Sequence, residues 1–513
     1  MATFSRRTLL RTSAAGLVIA PGLVACSSND GPGLVRERPV LTHGVAVGDP
    51  RADGALIWAR SDKPAKLMVE TAATESFTDA KRFEGPMLTP DSDGTGRLRV
   101  NGLPAGQQVH YRVTLEGEGG AVSEAVTGVF RTVPAASSDI KLLWSGDTAG
   151  QGFGINPDLG GMKIFSAMAA RDPNLFIHSG DSIYADNALK ESVTLPDGRV
   201  WRNIVTEAKS AVAQTLDQFR GNYAYNLSDE NYRRFNASVA QLVQWDDHET
   251  VNNWSPGGTV ADGKGYTERN MDTLATRSWQ AFHEWMPLER KEAMDGRLFR
   301  KVSYGPLLDV FVLDMRSYKD ANNANNAPEG RILGQAQTQW LMDGLRESKA
   351  TWKIVANDLP LGLIVKDGET VFEGVANADP GAPSGRESEI AKVLSSIKAN
   401  KVTGVVRLTA DVHCTAAHRY SPERAAFKDF DEFWEFVSGP LNAGAFGPNN
   451  LDGTFGPEAV FVHAPPAQNT SPLDGAYQHF GELTIDGKSC ELTVNLCDAT
   501  GNVLFTQRLD PAN

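Results

Sequence analysis

Acidic, histidine and asparagine residues follow four apolar runs of this 513-residue chain. The four polar segments are SGD (145–147), HSGDSIYAD (178–186), WDDHETVNN (245–253) and LTADVH (408–413). Each belongs to a run rich in Val, Ile, Leu, Phe or Trp, which is typical of a buried strand. Carboxylates are rare inside a core, so we expect them to project from strand ends into one crevice. Four such ends on one sheet can surround a pair of metal ions, which is the layout of a binuclear metallohydrolase.

Asp147 and Asp181 each end an apolar–Ser–Gly–Asp sequence. The glycine allows a sharp backbone turn, so the carboxylate that follows it can point at a ligand. A carboxylate is a hard anion that can bridge two cations. The alternative is an aspartate that caps the next turn or helix. Because the pattern occurs twice, we favour metal binding.

The second and third segments add a phenol, an imidazole and amides. Tyr184 stands three residues after Asp181, and a phenolate binds ferric iron well, although a packed and hydrogen-bonded tyrosine is equally consistent. In WDDHE one or two residues are candidate metal ligands, and His248 could give a proton to a leaving oxygen. Asn252 and Asn253 could supply amide oxygens. The alternative is a solvated acidic loop.

Asp411 and His413 end the last strong apolar run. His413 suits a borderline metal such as iron or zinc, and Asp411, two residues earlier, is expected on the same face. A core histidine is the usual alternative for His413. Arg316 follows another strand-like run and could hold a phosphate oxygen through two hydrogen bonds. A structural ion pair between Arg316 and a carboxylate at the strand ends is equally consistent.

Several other kinds of site are excluded by missing motifs. The glycine-rich stretch 150–161 lacks GK[ST], and the chain has no GxSxG, no HExxH and no CxxC. A formal net charge of −13 disfavours nucleic acid and anionic membranes as partners. It does not exclude a phosphorylated substrate, because bound cations can reverse the local sign of charge.

The pattern of elements divides the chain into three parts. Residues 1–35 contain Ser5–Leu10 (SRRTLL), which predicts a twin-arginine export signal and a tether, and therefore a periplasmic or extracellular protein. The sequence Leu23–Cys26 (LVAC) predicts a lipid anchor on Cys26, with plain cleavage near Ala25 as the alternative. Residues 36–135 alternate like short strands and predict a small all-β sandwich of the fibronectin or immunoglobulin type. Residues 136–513 alternate strands with helices and predict a layered α/β domain.

Taken in order, SGDTAGQGFGINPDLGG, FIHSGDSIYAD, WDDHETVNN and LTADVH resemble the alkaline phosphatase D (PhoD) family of the metallophosphatase superfamily. The resemblance extends over nearly the whole mature chain, including the β-sandwich. It implies a four-layer αββα catalytic domain in an exported phosphomonoesterase or phosphodiesterase, with the twin-arginine translocation machinery as a partner.

The resemblance also implies ferric iron and calcium as cofactors. Asp181 would be the bridging ligand, Tyr184 and His413 would bind iron, and Asp247 and Asn253 match the segment of the second metal. The best-known type has a cysteine at the first strand end, where this chain has Asp147. Aspartate is what the wider superfamily uses there, so zinc and manganese remain alternatives to iron.

The expected reaction is the hydrolysis of phosphate esters by a metal-activated hydroxide. Arg316 would assist phosphate binding and His248 would protonate the leaving group. Phospholipase D-like and phytase-like specificities on the same scaffold are alternatives. A third alternative is an exported, non-catalytic calcium-binding protein.

Overall fold

The computed structural model describes residues 37–289 and 297–512. The predicted export signal, the tether and Cys26 lie outside these residues. Within them, no helix is both long enough and apolar enough to cross a bilayer. The helices are α1 (Ile164–Ala169), α2 (Leu216–Asn226), α3 (Glu230–Ser238), α4 (Met271–Trp285), α5 (Gly334–Glu347) and α6 (Glu387–Ala399).

The strands are short and follow the apolar runs of the sequence. In chain order they are β1 (Leu41–Arg51), β2 (Gly54–Ser61), β3 (Ala65–Ala72), β4 (Lys81–Leu88), β5 (Thr95–Val100), β6 (Gln108–Glu116), β7 (Val126–Arg131), β8 (Ile140–Ser145), β9 (Thr148–Gly150), β10 (Leu175–Ser179), β11 (Ser192–Thr194), β12 (Val200–Arg202), β13 (Ala240–Gln244), β14 (Arg300–Tyr304), β15 (Leu308–Val312), β16 (Trp352–Ala356), β17 (Val405–Thr409), β18 (Thr415–Tyr420), β19 (Phe433–Val437), β20 (Asn442–Ala443), β21 (Pro457–His463), β22 (His479–Ile485), β23 (Leu492–Asp498) and β24 (Val503–Leu509).

Two large sheets contain most of these strands. The first has nine strands in the order β24-β23-β22-β8-β10-β13-β1-β2-β5, and β8, β10, β13 and β1 run parallel. The second has seven strands in the order β14-β15-β16-β17-β19-β18-β21, and β15, β16, β17 and β19 run parallel. The expectation that one sheet holds all four polar strand ends is therefore wrong. Strands β8, β10 and β13 belong to the first sheet and β17 belongs to the second.

The side chains of the parallel strands alternate between two apolar layers, as a period of two requires. Leu142 and Trp144 on β8 lie in the core between the sheets, together with Val310 and Ile354 of the second sheet. Leu143 faces the opposite way, into the core under α1 to α4. On the second sheet, outward side chains such as those of β15 and β16 pack under α5 and α6. The order helix, sheet, sheet, helix confirms the predicted αββα architecture.

The described residues 37–135 contain seven strands and no α-helix, as the predicted all-β region requires. Strands β3, β4, β6 and β7 form a separate four-stranded sheet, whereas β1, β2 and β5 are the last three strands of the nine-stranded sheet. Side chains from both sheets, such as Ile57 and Val113, meet in one apolar core. This region is thus a sandwich of which one sheet continues into the α/β part. The boundaries of 36–135 and 136–513 stay predictions.

Candidate metal centre

The polar residues that end the parallel strands occupy turns with unusual backbone angles. Strand β8 ends before Asp147, β10 before Asp181, and β17 before Asp411 and His413. All four residues have positive φ, at 66°, 51°, 68° and 54°, in the left-handed region that non-glycine residues seldom adopt. Such strained positions cluster at functional sites. Here they turn the chain away from the sheet as soon as each strand ends.

Asp147, Asp181 and His413 form the first potential ligand group. One ligand atom from each lies within 4.8 Å of the others, and all three residues are buried. The His413 Nδ1–H donates to the carbonyl of Gly444, which leaves Nε2 as the coordinating atom. That Nε2 lies 2.8 Å from the Tyr184 hydroxyl. The predicted iron ligands Asp181, Tyr184 and His413 are thus adjacent, and Asp147 lies with them.

Two further groups continue from the first. Asp181, Asp247 and His248 form the second, and Asp246, Asp247 and Asp411 form the third. Asp181 belongs to the first and second groups, the position that a bridging ligand requires. Asp247 connects the second group to the third in the same way.

Asp411 and His413 fall into different groups, so the expectation that they share a face does not hold. The reason is local: β17 ends at Thr409, and strand periodicity no longer applies two residues later. Asp411 instead lies beside Arg316, whose Nη2 is 3.6 Å from its carboxylate.

The buried carboxylates fit a metal centre because several of their oxygens have no partner. Both oxygens of Asp147, Oδ2 of Asp246 and Oδ1 of Asp247 are buried without a hydrogen bond. Burial, and then the charge of Asp246, raises the pKa of Asp147 well above its usual value. Burial and then Asp247 do the same to the pKa of Asp181. Unpartnered buried carboxylates are costly, and bound cations would remove that cost.

Tyr184 is fully buried between two partners. Its ring stacks on that of His248, with 4.2 Å between the centroids. On the other side, a Cβ added to Gly150 would lie 2.3 Å from the ring. Burial, and then Asp181, raises the pKa of the phenol well above its usual value, which a coordinated cation would reverse.

His248 is oriented by a carboxylate that sequence reasoning did not assign. Its Nδ1 lies 2.7 Å from Oδ1 of Asp186, and the other oxygen of Asp186 accepts the backbone N–H of Asn252 at 2.8 Å. Burial lowers the pKa of His248, but Asp186 and Asp247 outweigh it and raise that pKa to about 9. With Nδ1 engaged by Asp186, Nε2 is the ring nitrogen that faces the metal centre, 4.0 Å from Asp247.

Arg316 is completely buried and forms ion pairs. Its Nε donates to Asp246 and its Nη1 to Glu373, while Nη2 lies near Asp411 and Asp247 without a hydrogen-bond partner. Of the two roles predicted for Arg316, the structure shows the ion pair. A contact with the phosphate of a substrate stays a prediction.

Asn253 lies at the outer end of the third group. Its backbone N–H donates to Asp247, and its side-chain Nδ2 donates to Asp367 at 2.8 Å. Asn322 donates to the backbone carbonyl of Asn253 at 2.7 Å and to Asp367 at 2.9 Å. Because Nδ2 is engaged, Oδ1 is the atom of the Asn253 amide that remains for a cation.

Glu249 holds the loops after β10 and β13 together. Its two carboxylate oxygens accept the backbone N–H groups of Asp181 at 3.2 Å, Ser182 at 2.6 Å and Asp246 at 2.8 Å. The sequence places Glu249 among the four titratable residues of the WDDHE segment but indicates no separate role for it. Its position directly after Asp-Asp-His is the feature that could have indicated a role at the site.

Comparisons with known proteins agree with this geometry. The family model described as PhoD-like phosphatase matches residues 142–496, and that of the PhoD-like phosphatase N-terminal domain matches residues 26–134. Alkaline phosphatase D of Bacillus subtilis (strain 168) is 28% identical over 480 residues, which cover 87% of this chain and 77% of the relative.

Solved structures show a similar fold. The structure of PhoD has a TM-score of 0.67 and 20% identity, and the match covers 92% of both chains. A purple acid phosphatase from yellow lupin (Lupinus luteus) seeds has a TM-score of 0.57 and 13% identity, and the match covers 92% of this chain and 74% of the lupin chain.

Proposed function

Since the chain belongs to the PhoD-like phosphatase family, we propose that it hydrolyses phosphate monoesters or diesters at the three connected ligand groups. The position of Asp181 supports this proposal most directly. It is the residue common to the first and second groups. A shared carboxylate of this kind is what a two-metal hydrolase requires between its cations.

The available donors indicate which residues would hold which metal. Asp147, Asp181, His413 and the Tyr184 phenol would hold the first ion, and their oxygen and imidazole donors suit ferric iron, with zinc or manganese as alternatives. Asp181, Asp247 and the Asn253 amide would hold the second, and an oxygen-only set of this kind suits calcium. When bound, such a pair of ions supplies a nucleophilic water at neutral pH and neutralises charge on the phosphoryl oxygens.

The chain's own residues would position the substrate and move one proton. His248 would donate the proton on Nε2 to the leaving oxygen, since Asp186 fixes its ring through Nδ1. Arg316 would offset the charge of Asp246, and its remaining Nη2 is available to a phosphate oxygen. Glu249 would keep Asp181 and Asp246 at a constant separation through their backbone N–H groups.

The experiment that tests this proposal compares wild type with Asp181→Ala on p-nitrophenyl phosphate and bis(p-nitrophenyl) phosphate, with metals quantified in both samples. We expect turnover that a chelator abolishes and that the variant lacks. Asp262→Ala is the matched control, because its side chain is 90% exposed and none of the three ligand groups includes it. A variant that keeps most of the activity would contradict the bridging role. The ratio of the two esters distinguishes monoester from diester preference, including phospholipase D-like or phytase-like substrates.

We also propose export by the twin-arginine pathway, on the basis of Ser5–Leu10 and the apolar stretch that follows. Replacing Arg6 and Arg7 by lysine should leave the precursor in the cytoplasm, and Cys26→Ser should release exported protein from the membrane fraction. Cell fractionation measures both results. Unchanged export of the lysine variant would refute the pathway, and unchanged membrane attachment of Cys26→Ser would refute the anchor.

A further inference from the structure

Two carboxylates are buried together at a place that the metal centre does not include. Glu387 is the first residue of α6 and is fully buried, and Asp452, in the loop before β21, is 4% exposed. Oε1 of Glu387 and Oδ2 of Asp452 are buried and have no hydrogen-bond partner. Within residues 37–289 and 297–512, neither carboxylate has an ion-pair partner within 4.0 Å.

Thr454 lies against both carboxylates. Its backbone N–H donates to Oδ1 of Asp452 at 2.7 Å, and its hydroxyl donates to the carbonyl of Asp379 at 3.4 Å. Burial, followed by the charge of Asp452, raises the pKa of Glu387 to about 8. Asn377 connects Glu387 to the same loop, because its Nδ2 donates to Glu387 and its Oδ1 accepts the backbone N–H of Asp379 at 2.8 Å.

The second oxygen of Glu387 is held in place by the neighbouring loop. Oε2 accepts from Nδ2 of Asn377 at 3.2 Å and from the backbone N–H of Ser384 at 3.3 Å. Those bonds fix the carboxyl group with Oε1 as its only unpartnered atom. A rigid, unpartnered acceptor next to a second one is a costly arrangement without a cation or a shared proton.

We propose that Glu387 and Asp452, together with the Thr454 hydroxyl and the Asp379 carbonyl, bind one calcium ion. All of these donors are hard oxygens, and the absence of imidazole and thiolate among them disfavours zinc, iron and copper. Magnesium is less suitable, because it demands near-octahedral geometry, whereas calcium accepts irregular sets of oxygen ligands.

A cation here would stabilise the connection between β16 and α6, which reaches the metal centre. Asp367 of that connection holds the Asn253 amide, and Glu373 holds Arg316. The far end of the connection is anchored where Asn377 and Glu387 meet the loop of Asp452 and Thr454. The role of the ion would thus be structural and separate from the hydrolytic centre.

The test uses the full-length protein and the isosteric variants Glu387→Gln and Asp452→Asn. Calcium per chain, measured by elemental analysis after gel filtration in calcium buffer, should fall by one ion in each variant. The metals of the catalytic centre should be unchanged. Glu369→Gln, an exposed glutamate of the same connection, is the control and should bind as much calcium as wild type.

Thermal unfolding distinguishes a cation from a shared proton. If the ion binds here, added calcium should raise the Tm of wild type more than the Tm of either variant. In the presence of chelator, Glu387→Gln should have a Tm at least as high as that of wild type. Equal calcium content in wild type and both variants would overturn the proposal. So would a calcium-induced Tm increase of the same size in all three proteins. Neither readout depends on ester hydrolysis, so the outcome is independent of the proposed function.

Discussion

At the scale of single residues, the neighbours of His248 hold its ring in the orientation that a proton donor needs. Its ring is fixed on one face by Tyr184 and at Nδ1 by Asp186, so Nε2 has a single orientation. Asp186 is itself held by the backbone N–H of Asn252. The His248 proton can therefore be delivered without a search over side-chain rotamers, which is the main advantage of a positioned acid.

Asp186→Asn should slow turnover by about 10²-fold. General acid catalysis typically raises the rate by about 10²- to 10⁴-fold, and this variant keeps the acid, His248, but loses the group that orients it. The loss should be larger for phenyl phosphate than for p-nitrophenyl phosphate, since the poorer leaving group needs the proton more. The measurement is kcat for both esters, with metal content as a control. An equal loss on both esters, or a loss of bound metal, would show that Asp186 acts by supporting the metal site instead.

Residues at strand ends could be predicted from the sequence, but their partners could not. Asp147, Asp181 and His413 follow visible apolar runs, and the end of a parallel strand has a known place in the fold. The partner of Arg316, Glu373, lies 57 residues away in a loop without a strand or helix signal. A contact between two loops depends on the assembled tertiary structure, and one sequence contains no local trace of it.

At the scale of elements, helical spacing of apolar residues in 162–170, 271–286, 335–345 and 387–397 predicts α1, α4, α5 and α6 among the six described helices. The apolar runs predict β8, β10, β13, β15, β16 and β17, whereas β18 and β19 of the second sheet and helices α2 and α3 are not predicted. On α2 the buried side includes Asn222 and Asn226, and Asn226 donates to the carbonyl of Ser182 at 2.7 Å. Polar residues on the buried side weaken the apolar pattern. The capping box that Thr215 and Gln218 form at the start of α2 is a clearer indication of this helix than its apolar pattern.

The loop after β19 closes one side of the metal centre with backbone rather than side chains. Gly439 lies so near Asp147 that an added Cβ would be 2.2 Å from Oδ2 of that carboxylate. The carbonyl of Gly444, which directly follows β20, accepts from His413. Small residues here allow the first ligand group to pack directly on the main chain.

Gly439→Ala should displace the Asp147 carboxylate and lower kcat/KM by about 10²-fold, as a misplacement of about 1 Å can do. Metal content and steady-state kinetics are the measurements. Gly447→Ala, just beyond β20, is the matched control, because its added Cβ would come no nearer than 3.3 Å to another atom. If both alanine variants behave like wild type, the contact between Gly439 and Asp147 does not constrain the ligand.

At the scale of the whole molecule, the sandwich and the α/β part share a sheet. Strand β1 pairs with β13 in parallel and with β2 antiparallel, so it joins the strands of both regions. Arg300 of β14 forms a buried ion pair with Asp49 of β1 at 3.0 Å. Residues from Arg38 onward accordingly cluster as one compact unit. The sequence predicts a boundary between residues 135 and 136 because the pattern of elements changes there, but strand pairing across that point leaves no local signal.

Asp49→Ala should destabilise the entire unit by about 3–5 kcal/mol, because it leaves the Arg300 charge buried without its partner. Calorimetry should show one unfolding transition at a lower temperature, since the shared sheet couples both regions. Asp172→Ala is the matched control. Its ion pair with Arg131 also joins the two regions, but its side chain is 78% exposed, so the loss should be below about 1 kcal/mol. Two transitions in wild type, of which Asp49→Ala moves only one, would mean that the regions unfold independently despite their common sheet.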